Sequence, residues 1–109
     1  MAIKRYKNTL QKGSVRYIVF KEGNDWFAVG LEFNIVETGS TPQEAMMLLF
    51  EALKGYVETA IKVKARPDVL NQVPDKEYTI MWEERETEKN KNRIFTFGEL
   101  NMNKRLVTA

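Results

Sequence analysis

Thr38-Gly39-Ser40-Thr41-Pro42-Gln43-Glu44-Ala45 turns the chain out of a β-patterned half and launches a long helix. Thr41 stands where an N-cap belongs: its hydroxyl can accept from the Glu44 N–H, and the Glu44 carboxylate can reach back to the Thr41 N–H, a capping box. Pro42 then occupies the first helical position, where its fixed φ suits the helix and no N–H is missed. Ala45, Leu48, Leu49, Ala52, Leu53, Tyr56, Val57 and Ala60 follow at the spacing of a 3.6-residue period, so the pattern predicts an amphipathic helix to about Lys62. Glu44, Glu51, Lys54, Glu58 and Lys62 form its solvated face, with Glu58 and Lys62 a favourable i, i+4 pair.

Upstream, Ser14 to Phe20 is β-branched and aromatic, with Val15, Tyr17 and Val19 on one face and Arg16, Ile18 and Phe20 on the other. Lys21 to Asp25 contains Gly23 and Asn24, both tolerant of positive φ, and reads as a hairpin loop. Asp25 to about Leu31 is the second strand, its Phe27, Val29 and Leu31 opposed to Trp26, Ala28 and Gly30; Gly30 inside a strand suits a bend, a bulge or a close approach, and a local irregularity is expected there. Asn34 to Thr38 is a short third strand. The lead-in from Ala2 to Gly13 carries Lys4, Arg5, Lys7 and Lys12 among few apolar groups, and reads as a partly ordered, solvated terminus.

Downstream, Arg66-Pro67-Asp68 breaks the helical period, and Val69 to Asp75 is a loop returning toward the sheet. Glu77 to Glu83 alternates, with Tyr78, Ile80 and Trp82 sharing a face, and is expected as a fourth strand. Glu83 to Asn92 holds no apolar residue and belongs on the surface, as a loop or exposed turn. Arg93 to Gly98 is a further short strand or a docking tail, and Asn101 to Ala109 is basic and sparse. The expected fold is therefore α+β: a single domain over residues 1–109 with a small antiparallel sheet of three to four strands and one long amphipathic helix on one face, in the order β-β-β-α-β. Residues 14–62 are its core unit, and residues 63–109 supply the return loop, the fourth strand and a polar extension.

The 109 residues, 43% of them apolar, suffice for one core and not two. Seventeen basic against fifteen acidic residues leave a net charge of +2, too small to signal a nucleic-acid partner by itself. The chain has no cysteine and no histidine, which excludes disulfides, thiol nucleophiles, His-based catalytic triads and zinc sites built on either residue. No apolar run reaches signal-peptide or membrane-spanning length, so the chain reads as cytoplasmic, with no membrane partner and no cofactor.

Taken as one phrase, Trp26-Phe27-Ala28-Val29-Gly30-Leu31-Glu32-Phe33-Asn34-Ile35-Val36-Glu37-Thr38-Gly39-Ser40-Thr41-Pro42-Gln43-Glu44-Ala45, with Leu48, Glu51-Ala52-Leu53 and Tyr56-Val57-Glu58 after it, resembles the HicB-like antitoxin family. The match spans about Val15 to Ala60. The resemblance implies a partial RNase-H-like fold, non-catalytic, that forms dimers or higher oligomers and blocks a small RNA-cleaving toxin of the HicA type. Where many relatives read Cys-Pro-Glu-Leu or Pro-Asp-Leu, this chain has Gly30-Leu31-Glu32-Phe33, so Glu32 and Phe33 are what carries over as partner-binding positions. From Val63 to Ala109 there is neither a pair of helical patterns separated by a turn nor a basic strand leading into a helix, which argues against operator binding.

Two other classes compete with this reading. A relict metal-dependent nuclease needs converging carboxylates, for which Asp25, Glu32 and Glu37 are the candidates. A nucleic-acid-binding regulator would use the basic and aromatic neighbours Arg16-Tyr17 and Lys21 near Trp26; the same aromatics are explained by cross-strand pairing. For a protein partner the helix offers Met46 and Phe50, which widen its apolar stripe on one flank, and Met47, which lies outside it among Glu51, Lys54 and Glu58. That flank either meets another protein or is covered by the chain returning after Arg66.

Overall fold

Strand β1, Ser14–Glu22, is apolar on both sides, and this places it in the interior of the sheet. The structure, a computed structural model, describes residues 6–102. Lys4 and Arg5 of the lead-in, and the basic stretch 103–109, lie outside the described residues. β1 pairs antiparallel with β2, Asp25–Gly30, through a tight turn in which Gly23 takes a φ of 65°. β2 pairs antiparallel with β3, Ile35–Gly39. The other side of β1 is taken by β4, Ile94–Asn101, giving a four-stranded antiparallel sheet of order β3-β2-β1-β4.

Helix α1, Pro42–Lys62, lies on one face, mainly across β3 and β2. Its seam is Ala45, Leu49, Leu53, Val57 and Ala60, which close a core with Val15, Val19 and Ala28. Leu48, predicted within the stripe, falls at its margin and is 36% exposed. The Thr41 hydroxyl accepts from the Glu44 N–H at 3.1 Å as expected, whereas the Glu44 carboxylate reaches one residue further back, to the Ser40 N–H at 3.0 Å. Removing the cap hydroxyl by Thr41→Ala is expected to lower stability by about 1 kcal/mol, measurable by urea titration.

The expected strand at Glu77 to Glu83 is instead a helix, α2, Lys76–Glu83. Tyr78, Met81 and Trp82 sit at i, i+3 and i+4, a spacing that fits a helix as well as the alternation of Tyr78, Ile80 and Trp82 fits a strand. Packing decides between them: Met81 is buried, with Tyr78 and Trp82 against Ile18, Phe20, Val29 and Leu31, while Ile80 is 40% exposed. α2 thus covers the face of the sheet opposite α1. The fourth strand comes from the later apolar run, whose first half was already readable as a strand. Between the helices, Pro67–Leu70 forms one turn of 3-10 helix that buries Leu70.

Two further expectations are corrected. The ladder runs through Gly30 without a register shift; the irregularity is between Val19 and Phe20, opposite β4. Gly30 serves a close approach instead, since a Cβ there would stand 2.7 Å from Leu53 Cδ2. The described part of the lead-in is also more than a solvated terminus: Asn8 is buried and its side chain holds two backbone groups, the Ser14 N–H at 2.7 Å and the Leu70 carbonyl at 2.8 Å. No helix among the described residues is long and apolar enough to cross a membrane.

Candidate functional site

Glu32 and Phe33 occupy the connection between β2 and β3, and both are turned inward. The Glu32 carboxylate accepts from the Arg16 N–H and from Arg16 Nε, each at 2.8 Å, and from the Lys7 ammonium, while its carbonyl accepts from the Gln72 N–H at 2.7 Å. A carboxylate taken out of water needs such partners, and here they tie the lead-in, β1 and the chain after α1 to one point. Phe33 packs edge-on against Tyr56 at 4.8 Å, and the Tyr56 hydroxyl donates to the Val69 carbonyl at 2.6 Å. These two positions therefore organise the fold around the return of the chain and offer little surface of their own.

Met46, Met47 and Phe50 do come together. With Gln43, Glu51 and Lys54 they line an open groove of about 380 Å³ along one flank of α1. Phe50 stands edge-on to Tyr17 of β1 at 5.2 Å, and Met46 is half-buried against the same core. Met47 is 59% exposed. The groove exists because α1 lies over β3 and β2, leaving its β1-side flank without a second layer. Among the described residues the chain after Arg66 does not cover it: none of them lines the groove, and α2 goes to the opposite face of the sheet.

The carboxylates considered for metal binding do not converge. Asp25 begins β2 and Glu32 follows its end, so at ~3.3 Å per residue they are separated by roughly 20 Å. Glu37 lies within β3, opposite Ala28. No group of three or more His, Cys, Asp or Glu side chains placed to hold a metal ion occurs among the described residues. Of the basic and aromatic neighbours, Lys21 lies over Trp26 at 5.8 Å, and Trp26 meets Phe95 edge-on at 6.0 Å. Arg16 approaches Trp82 at 5.5 Å on the α2 side while holding Glu32, which commits its guanidinium to that carboxylate.

One cluster was not legible in the sequence. Arg85, in the charged run after α2, lies over Trp82 at 4.1 Å and Phe97 at 5.0 Å. Its Nη1 donates to the Trp82 carbonyl at 2.7 Å, and its buried Nε has no hydrogen-bond partner among the described residues. Only the spacing of Arg85 three residues after Trp82 pointed to the contact. Beside it, Glu99 on β4 accepts from Ser14 and Lys7; these hydrogen bonds, the one from Ser14 foremost, hold its carboxyl below the usual range. Comparisons with family models, with curated proteins and with solved structures gave no match to this chain.

Proposed function

We infer that the chain is a non-enzymatic, HicB-like antitoxin-type protein that works by protein–protein association, neutralising a small RNA-cleaving toxin of the HicA type by covering its active site. The observation that carries this reading is the groove at Met46, Met47 and Phe50, a Met-rich apolar surface on a helix flank that the other described residues leave open. Methionine adapts to the contour of a partner, and Phe50, braced by Tyr17, supplies a rigid aromatic anchor of the type that carries most of an interface's affinity. The resemblance of Trp26 to Glu58 to HicB-like sequences supplies the class of partner. In this reading the chain acts as a homo-oligomer.

The test is co-expression with the product of the neighbouring small reading frame, scored by growth rescue and co-purification. Met47→Glu is expected to abolish rescue and weaken capture at least tenfold. Because Met47 is largely exposed, the same change should move unfolding stability by no more than about 0.5 kcal/mol. A chain that never restrains such a toxin, or a Met47→Glu variant that restrains it fully, would overturn the assignment. Binding of RNA or DNA with a steep salt dependence, independent of Met47, would favour the regulator instead.

A further inference from the structure

We propose that the outer edge of β4 is an interface between two copies of this chain, which join their sheets antiparallel about a two-fold axis through Gly98. This rests on the homo-oligomeric part of the functional reading and names the surface that produces it. β4 is an edge strand of eight residues. Edge strands are usually blunted by charge, proline or irregularity, because their free N–H and C=O groups invite another strand. β4 has no proline, and its only charged residue, Glu99, is drawn back across β1 by Ser14 and Lys7. Its irregularity is confined to the start, opposite Val19 and Phe20; from Thr96 to Asn101 the ladder is regular.

Symmetry and charge then select one register. A two-fold axis perpendicular to a sheet keeps each residue on its own face, so an antiparallel pair of identical strands must be centred on a residue. Centring on Phe97 would run the pairing into the irregular segment, and centring on Glu99 would set two carboxylates against each other. Centring on Gly98 avoids both and, unlike centring on Leu100, pairs the regular stretch from Thr96 to Leu100 in full. It puts Thr96 opposite Leu100 of the second copy on the α1 side, and Phe97 opposite Glu99 of the second copy on the α2 side. Phe97 is the residue on which Arg85 lies, so the Oε2 oxygen of that carboxylate, Ser14 and Lys7 being bound to Oε1, meets a guanidinium that has no ion pair among the described residues. The match is reciprocal, one such contact in each direction.

There is room for it. A groove of about 350 Å³ runs beside Ile94 to Phe97, walled by Arg85, Glu86 and Lys91, on the path that residues 99–101 of the second copy would take. The exposed Phe95, at 47%, stands at the end of that path and would be partly covered.

The chain contains no cysteine, which makes disulfide trapping a clean test. Within one strand, positions 96 and 100 are roughly 13 Å apart at ~3.3 Å per residue, too far to bridge. A Thr96→Cys, Leu100→Cys double variant of the full chain should therefore form a covalent dimer on mild oxidation, whereas Phe97→Cys alone and Glu99→Cys alone should not. In sedimentation equilibrium the natural chain should have twice its monomer mass, and Arg85→Glu should raise the dimer dissociation constant at least tenfold. A dimer that the double variant does not trap overturns this interface and leaves homo-oligomerisation standing. A monomeric mass at all accessible concentrations, with no trapped dimer, overturns both.

Discussion

Gly39→Ala is expected to lower the melting temperature by roughly 10–15 °C, corresponding to about 3 kcal/mol at roughly 4 °C per kcal/mol for a domain of this size. Gly39 is the last residue of β3, where the strand feeds the capped start of α1. A Cβ there would lie 2.7 Å from the Ala45 N and 3.1 Å from its Cα, so the added methyl meets helix backbone that cannot rotate away. Relief requires the first turn of α1 to lift off β3, which would pull Ala45 and Leu49 from the core and strain the Thr41 cap. Gly55 is the control. It lies within α1 with open space where its Cβ would be, so Gly55→Ala should stabilise by about 0.5–1 kcal/mol through helix propensity alone. Differential scanning calorimetry of the two variants should give shifts of opposite sign; a Gly39→Ala variant as stable as the natural chain would mean that the corner is not tightly packed.

Gly39 also marks the limit of what the sequence says about this fold. Its place where β3 hands over to the helix was legible from Thr38-Gly39-Ser40 and the capping residues, but the close approach behind it depends on how α1 lies over β3, and no local pattern encodes that. α1 was legible because it carries several turns of the 3.6-residue period, and the first three strands because β-branched and aromatic residues are bounded by Gly and Asn at their turns. An eight-residue element such as Lys76–Glu83 is too short for this: Tyr78 and Trp82 fit either period, and burial of Met81 rather than Ile80 settled it. The groove residues Met46, Met47 and Phe50 were likewise readable as the flank of a helical wheel. Glu32 was not readable as an inward residue, because the cations that permit its burial, Arg16 and Lys7, precede it by 16 and 25 positions. Arg85 was hidden for the opposite reason, since in a run of charged residues only its spacing from Trp82 sets apart the cation that stacks on Trp82 and Phe97.

Asn8→Ala is expected to destabilise by about 2–4 kcal/mol, a loss comparable to truncation of a core leucine although no apolar contact is the cause. Asn8 is 3% exposed, and its two side-chain bonds are accompanied by two through its own backbone: its N–H donates to Asn71 Oδ1 at 2.9 Å and its carbonyl accepts from Asn71 Nδ2 at 2.8 Å. The alanine variant strands the Ser14 N–H at the start of β1 and the Leu70 carbonyl in the 3-10 turn, each of which then lacks the partner its burial requires. Leaving a buried backbone group unpaired costs about 1–3 kcal/mol, and two are involved. Aspartate distinguishes this account from simple packing. Asn8→Asp keeps the shape and can still accept from the Ser14 N–H, but it sets a carboxylate oxygen against the Leu70 carbonyl, so it should be as destabilising as alanine at neutral pH and recover in part on acidification, when the protonated acid can donate to that carbonyl. Urea titrations of both variants at pH 7 and pH 4, each compared with the natural chain at the same pH, would show the pattern. If Asn8→Asp and the natural chain were equally stable at pH 7, the bond to Leu70 would not be what fastens the lead-in to the turn after α1.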